Sequence, residues 1–233
     1  MSYQQAVRIP VQAGQRVAAA CGVLSAVALF LAVAAVDVPR HASEQEMLAW
    51  WRDGDNRTAD VVSTFALLAA GLLFLGFVTA LARQVALRTE GTATLIRQAG
   101  TLFVAMIFAT GLGGAIVRGL VVDDEPVPGV DVLRFFAQLR YTAMGVYAMP
   151  AAAVVIGACS YAALYAGALP RWFGWLGVAS VVAIIAATAA FLGQFAIPAV
   201  LVWTIAGSVV LLRAPTAGPS YLPPTVPQSV PVS

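Results

Sequence analysis

The chain contains no lysine, one histidine and two cysteines, and charged residues make up only 10% of its 233 residues. Because lysine is absent, the chain has no lysine-rich patch of the kind that binds nucleic acid. His41, Cys21 and Cys159 are too few to build a tetrahedral metal site or a pair of haem ligands. A Ser-His-Asp set, a Gly-rich phosphate loop and an HExxH motif are also absent. We therefore expect a protein that is not an enzyme and that holds no cofactor.

Apolar residues are abundant instead. The hydrophobic fraction is 61% and the mean hydropathy is +0.86, far above the values of soluble domains. Six apolar runs of roughly 20 residues are each long enough to cross the ~30 Å hydrocarbon layer. We predict an all-α, polytopic membrane bundle of six transmembrane helices, with short interfacial helices in the outer loops. The domain covers 1–213, and its expected spans are about 17–36, 61–82, 99–122, 141–168, 173–192 and 195–212.

The charges divide unevenly between the two sides of these six runs. One side carries seven arginines against the single acid Glu90, and the other carries six arginines against ten acids. Arginine-rich connections stay in the cytoplasm. Arginine without lysine, beside abundant alanine, glycine and valine, is typical of a GC-rich bacterial genome. The pattern predicts a multi-pass protein of the bacterial plasma (inner) membrane with both termini in the cytoplasm. The Pro-rich segment 214–233 is predicted to be a disordered cytoplasmic tail.

The first outer loop should contain a short helix. Ser43 and Glu46 have the spacing of a capping box, and apolar residues then recur at helical intervals until the chain reaches Gly54. Trp50 and Trp51 are the residues expected at the depth of the lipid headgroups. This spacing predicts an interfacial helix over about 43–54.

The second outer loop should also end in an interfacial helix. Apolar residues between 132 and 139 predict a helical segment that leads into the fourth span near Tyr141. Pro150 should kink that span, because proline lacks a backbone N–H. In the third span, glycines at 111, 113, 114 and 119 should allow close packing against another helix.

Three segments resemble a known family. They are ALPRWFGWLG at 168–177, VVLLR at 209–213, and the stretch from Trp51 through Asn56 and Arg57 into 61–65. Over about 51–82 and 165–213, the chain resembles a broad group of six-span bacterial integral membrane proteins classed as a domain of unknown function. The resemblance implies a six-helix membrane fold, and it carries over no substrate, cofactor or catalytic residue.

Four charged residues are the first candidate site. Asp37 and Asp60 flank the outer ends of the first and second spans, and Arg118 and Arg140 lie at similar depth on the third and fourth. Charged groups inside a membrane are costly and often functional, whereas long arginine side chains near the edge reach water cheaply. Two interpretations stay open: structural ion pairs, or an outward-facing binding site.

Four tyrosines of the fourth span are the second candidate site. Tyr141, Tyr147, Tyr161 and Tyr165 could line an aromatic cavity for a lipid or another apolar ligand. Membrane-interface anchoring and core packing explain the same residues.

The sequence favours a non-enzymatic role. Small-residue faces suited to packing suggest an accessory or scaffold component of an inner-membrane assembly, with the lipid bilayer and other membrane subunits as its partners. The alternative is a small-molecule or lipid carrier that uses an outward-facing site.

Overall fold

The structure is a computed structural model that describes residues 3–36, 43–122 and 129–213, with side chains for 13–36, 43–112, 114–116 and 129–213. Asp37, His41 and the segment 214–233 lie outside the described residues. The described chain is helical throughout, with short connections. The helices are α1 (Tyr3–Ala34), α2 (Glu44–Arg52), α3 (Gly54–Ala86), α4 (Glu90–Val122), α5 (Val130–Thr142), α6 (Met149–Leu164), α7 (Arg171–Ala189) and α8 (Ile197–Arg213).

Among the described residues, six helical segments are long and apolar enough to cross a membrane, as predicted. The predicted all-α bundle is therefore confirmed. Several helices extend well beyond the apolar runs: α3 begins at Gly54 rather than near 61, and α4 begins at Glu90 rather than near 99. Polar residues continue a helix readily outside the hydrocarbon, because the backbone hydrogen bonds within each helix do not depend on side-chain polarity.

The fourth span is one continuous helical segment, Val130–Leu164. The segment expected to be an interfacial helix leading into this span near Tyr141 is instead its first part, because α5 passes directly into a π-helical turn over Ala143–Ala148 and then into α6. The Met149 N–H donates to the carbonyl of Met144, five residues earlier. Pro150 follows at once and has no N–H to donate. The distortion expected from Pro150 therefore takes the form of a widened turn on its N-terminal side.

The six spans pack as a ring in chain order. α1 lies against α3, α3 against α4, α4 against α6, α6 against α7 and α7 against α8, and α8 closes the ring on α1. We call one end of the ring the acidic end, since it carries Glu44, Glu46, Asp53, Asp55, Asp60 and Asp131. We call the other the basic end, since it carries Arg16, Arg83, Arg88, Arg97, Arg171 and Arg213 with Glu90.

Aromatic side chains fill the centre of the ring. Trp203 of α8 is fully buried; it stacks on Phe173 with ring centroids 5.3 Å apart and meets the ring of Phe77 edge-on at 6.0 Å. Gly207 lies against Phe77, and a Cβ there would come within 2.7 Å of that ring. Small residues thus let the helices close around large central rings, the packing mode expected in lipid.

The short helix α2 forms as the capping-box spacing predicts. The Ser43 hydroxyl accepts from the Glu46 N–H at 3.3 Å, and the Ser43 N–H donates to the Glu46 carboxylate at 2.9 Å. Trp51, however, is only 5% exposed. It packs with Met47 of α2 and Leu133 of α5 in a small cluster apart from the main core. Trp51 therefore joins two helices of the acidic end rather than presenting its ring to lipid headgroups.

Candidate functional site

A buried ion pair lies at the acidic end. The guanidinium of Arg140, in the last turn of α5, donates from Nη1 to Oδ1 of Asp60 on α3 at 2.8 Å. Asp60 is 3% exposed, and the Arg140 side chain is 16% exposed. This is one of the pairings that the sequence suggested, and it joins residues 80 positions apart. Removing one partner of a buried ion pair is strongly destabilising.

Ser63 extends this pair to the first helix. Arg140 donates from Nη2 to the hydroxyl of Ser63 at 2.8 Å, and that hydroxyl donates to the carbonyl of Ala32 at 2.7 Å. Ser63 lies three residues after Asp60, so both side chains share one face of α3. Ala32 lies in the last turn of α1, where carbonyls have no partner within the helix. The Arg140 charge is also favourable near this carbonyl end of the α1 dipole.

Gly114 of α4 brings a third helix against the carboxylate. A Cβ at this position would overlap Oδ2 of Asp60. At Gly111, one turn earlier on the same face, a Cβ would reach only ordinary contact with Thr64 at 3.5 Å. The predicted close packing of the α4 glycines is therefore present at Gly114, where it encloses the charged group, whereas Gly111 makes only ordinary contact.

A cavity of about 400 Å³ adjoins the ion pair. Its polar lining consists of Arg140, Tyr141, Thr110 and Gln194, and its apolar lining comes mainly from the ends of α1 and α8 and from Met144. Small-molecule sites have volumes of ~300–1,000 Å³ and combine an apolar lining with a few polar groups. Arg140 uses two N–H groups on Asp60 and Ser63, and a guanidinium has further donors. The cavity is therefore an apolar chamber with a cationic donor in its wall.

Two irregular turns shape the wall of this cavity. The π-helical turn Ala143–Ala148 meets a 3₁₀ turn, Gly193–Ala196, that leads into α8. The backbones of Gly193 and Gly145 contact each other directly here. They lie so close that a Cβ on Gly193 would overlap the carbonyl oxygen of Gly145. This contact places Met144 and Gln194 side by side on the cavity. π-Helical turns are frequent at functional sites, since they redirect side chains that a regular helix would place elsewhere.

The ion pair lies near one edge of the apolar layer. Asp60 and Arg83 are separated on α3 by about 35 Å of helix, slightly more than the ~30 Å hydrocarbon thickness. If Arg83 lies at one interface, Asp60 lies close to the other. The cavity beside Arg140 then also lies close to that interface.

The other candidate residues are placed differently. Arg118 belongs to α4, but its side chain and the whole of Asp37 lie outside the described parts of the chain. The four tyrosines do not share one cavity: Tyr141 lines the chamber at Arg140, whereas Tyr147, Tyr161 and Tyr165 are exposed. Tyr161 and Tyr165 stack on each other, with ring centroids 5.2 Å apart, at the far end of α6.

Sequence reasoning did not identify three members of the site: Ser63, Thr110 and Gln194. The position of Ser63, one turn after Asp60, was an available signal. The sequence contains no signal for Thr110 or Gln194, because only the packing of α4 and of the 3₁₀ turn brings these residues to Arg140. Among the described residues, no group of three or more His, Cys, Asp or Glu side chains could hold a metal ion.

Comparison with known proteins adds no relative. No family model matches the chain, and no curated protein or solved structure matches it significantly. The resemblance of 51–82 and 165–213 to a six-span family of unknown function thus stays a prediction.

Proposed function

We propose that this protein is an integral membrane protein that binds an amphipathic ligand with an acidic headgroup in the acidic-end cavity, as a carrier or receptor for it. The observation that carries the proposal is the position of Arg140, whose guanidinium lies between a buried carboxylate and a chamber of about 400 Å³. Its fork of N–H donors matches a carboxylate or phosphate group.

Ligand binding would explain why the Asp60–Arg140 ion pair is buried here, despite the free-energy cost of removing two charges from water. Asp60 and Ser63 fix two sides of the guanidinium, so the remaining donors face a defined direction before any ligand arrives. Preorganisation of this kind raises affinity, because less side-chain freedom is lost on binding. The Gln194 amide and the Tyr141 ring lie on the same chamber, and Met144 and Ile197 provide apolar surface for a chain.

We further propose that the basic end faces the cytoplasm of a bacterial cell and that the cavity lies on the outer side of the inner membrane. The support is the excess of arginine at the basic end, which the positive-inside rule places in the cytoplasm. A ligand would then reach Arg140 from the outer leaflet or from the periplasm.

The test uses the full chain in nanodiscs of phosphatidylcholine, with laurate and dodecanol as probes. Both have the same chain length, and only laurate has a carboxylate. Laurate should raise the unfolding free energy by about 2.7 kcal/mol at a hundredfold excess over its Kd, and dodecanol should do much less. Arg140→Lys keeps the charge beside Asp60 but loses the planar fork, so it should weaken laurate binding roughly tenfold or more.

The matched control is Arg52→Lys, an exposed arginine at the same end that does not line the cavity. This variant should bind laurate as the natural chain does. Equal stabilisation by laurate and dodecanol, or equal laurate binding by the two lysine variants, would refute Arg140 as the recognition group. Absence of any response to either probe would refute ligand binding here, and the accessory or scaffold role would then be tested by co-purification in mild detergent.

A further inference from the structure

A second, larger groove lies at the opposite end of the molecule. It runs between α1 and α3 at the basic end and has a volume of about 760 Å³. Its floor is apolar or small, with Ala18, Leu75 and Gly76, and its rim is polar, with Gln15, Arg83 and Gln84. About 10 Å of helix separates Gly76 from Arg83. The groove thus has a polar end at the membrane edge and an apolar end that points towards the middle of the bilayer.

Charge at the polar end is unbalanced. Arg83 is exposed, lines the groove and forms no ion pair with a described residue. Five further arginines of the basic end are exposed as well, against the single acid Glu90. Such a surface attracts the anionic headgroups of the adjoining leaflet.

A buried polar atom lies beside Arg83. The Oε1 atom of Gln84 is enclosed and accepts no hydrogen bond from any described residue. A buried acceptor without a donor costs free energy, which a hydroxyl-bearing ligand would recover. Arg83 and Gln84 together therefore suit a group that combines an anion with a hydrogen-bond donor.

The floor of the groove suits a hydrocarbon chain. Gly76 is exposed to the groove, and a Cβ there would meet only Cys21, at 3.6 Å from its Sγ. A Cβ at Gly76 would therefore make only ordinary van der Waals contact. Because Gly76 has no side chain, the groove between α1 and α3 forms an open trough at this position.

We propose that this groove binds one anionic phospholipid, with its phosphate at Arg83, a headgroup hydroxyl at Gln84 and an acyl chain over Gly76. Phosphatidylglycerol has this chemistry, whereas phosphatidylcholine has neither the net charge nor the hydroxyl. The proposal is independent of the acidic-end cavity, because the two sites share no residue.

The experiment measures Cys21 as a reporter. Cys21 lines the groove and is partly exposed, whereas Cys159 is fully buried. In nanodiscs of phosphatidylcholine, addition of 20% phosphatidylglycerol with the same acyl chains should slow labelling of Cys21 by a membrane-permeant maleimide. Free glycerol phosphate should not slow it, because it has no chain to cover Gly76. Equal labelling in the two membranes would overturn the proposal.

Two variants sharpen this result. Arg83→Ala should weaken the protection by phosphatidylglycerol about fivefold, and Gly76→Leu should remove the difference between the two lipids by filling the trough. The control is Arg97→Ala, which removes the same charge from the basic end at a residue outside the groove. Equal effects of Arg83→Ala and Arg97→Ala would show that bulk surface charge, and not this groove, attracts the lipid. The lipid comparison in the natural chain tests the proposal even if Gly76→Leu fails to fold.

Discussion

At the acidic end of the bundle, Arg140 is mostly enclosed and donates to Asp60 and Ser63, each at 2.8 Å. At the basic end, the described arginines are exposed, and none forms an ion pair with a described residue: Arg16, Arg83, Arg88, Arg97, Arg171 and Arg213. The same side chain therefore serves two purposes. Exposed arginines set the charge of a membrane face, whereas one enclosed arginine organises three helices and a cavity.

The largest expected difference in the free energy of unfolding is between two variants, each of which lacks one arginine at one end of the bundle. Arg140→Ala removes the guanidinium that donates to the buried Asp60 carboxylate and to Ser63, and should lower the free energy of unfolding by about 3–5 kcal/mol. Arg83→Ala removes an exposed charge and should change it by less than about 0.5 kcal/mol. Unfolding of both variants in the same neutral detergent, followed by circular dichroism, measures the contrast. Similar losses for the two variants would mean that the ion pair has no special part in stability.

A second, smaller difference in the free energy of unfolding is expected between alanine variants of two glycines of α4. Gly114→Ala places a Cβ against the Asp60 carboxylate, so the pair must shift, at a cost of about 1–3 kcal/mol. Gly111→Ala meets only ordinary contacts and should be neutral or up to ~1 kcal/mol more stable, because alanine favours the helix. The same unfolding measurement compares them. If Gly114→Ala is as stable as Gly111→Ala, α4 does not hold the carboxylate in place.

The smallest expected effect is the pH dependence of the short helix α2 at the acidic end. Hydrogen bonds from the Ser43 backbone N–H and hydroxyl hold the pKa of the Glu46 carboxyl below its ordinary value of 4.5. A carboxyl whose pKa is lower in the folded state stabilises fully above pH 4.5, and this contribution is lost as the pH falls through the folded-state pKa. The first turn of α2 should therefore fray in acid.

This titration can be followed by the side-chain carbon resonances of Glu46 in an NMR titration. In Ser43→Ala the hydroxyl is absent, so the Glu46 pKa should move up towards its ordinary value and α2 should lose helicity at neutral pH. An unchanged titration in that variant would mean that the capping box does not form in solution.

The sequence predicts the number and order of the spans well, because six apolar runs of sufficient length can meet their backbone hydrogen bonds in lipid only as helices. It predicts α2 equally well, since Ser43 and Glu46 form a purely local motif. The extent of α4 was underestimated, because the start of that helix at Glu90 is polar and hydropathy detects only the part inside the bilayer.

The site was predicted only in part. Asp60 and Arg140 stand out because charges are rare beside apolar runs, and this rarity suggested their pairing. Ser63, Thr110 and Gln194 are ordinary polar residues that join the site through helix packing. The wall of the cavity depends on the π-helical turn before Pro150, and a proline in the sequence indicates a distortion without fixing its type.

The closed order of the helices has a consequence for biosynthesis. Each span lies against the one made just before it, so five spans can assemble while the ribosome is still adding the last. α8 is made after these five spans, and it brings Trp203 to the rings of Phe77 and Phe173. Until α8 enters the membrane, those two rings lack the contact with Trp203, so the insertion of this one helix decides whether the ring of spans closes.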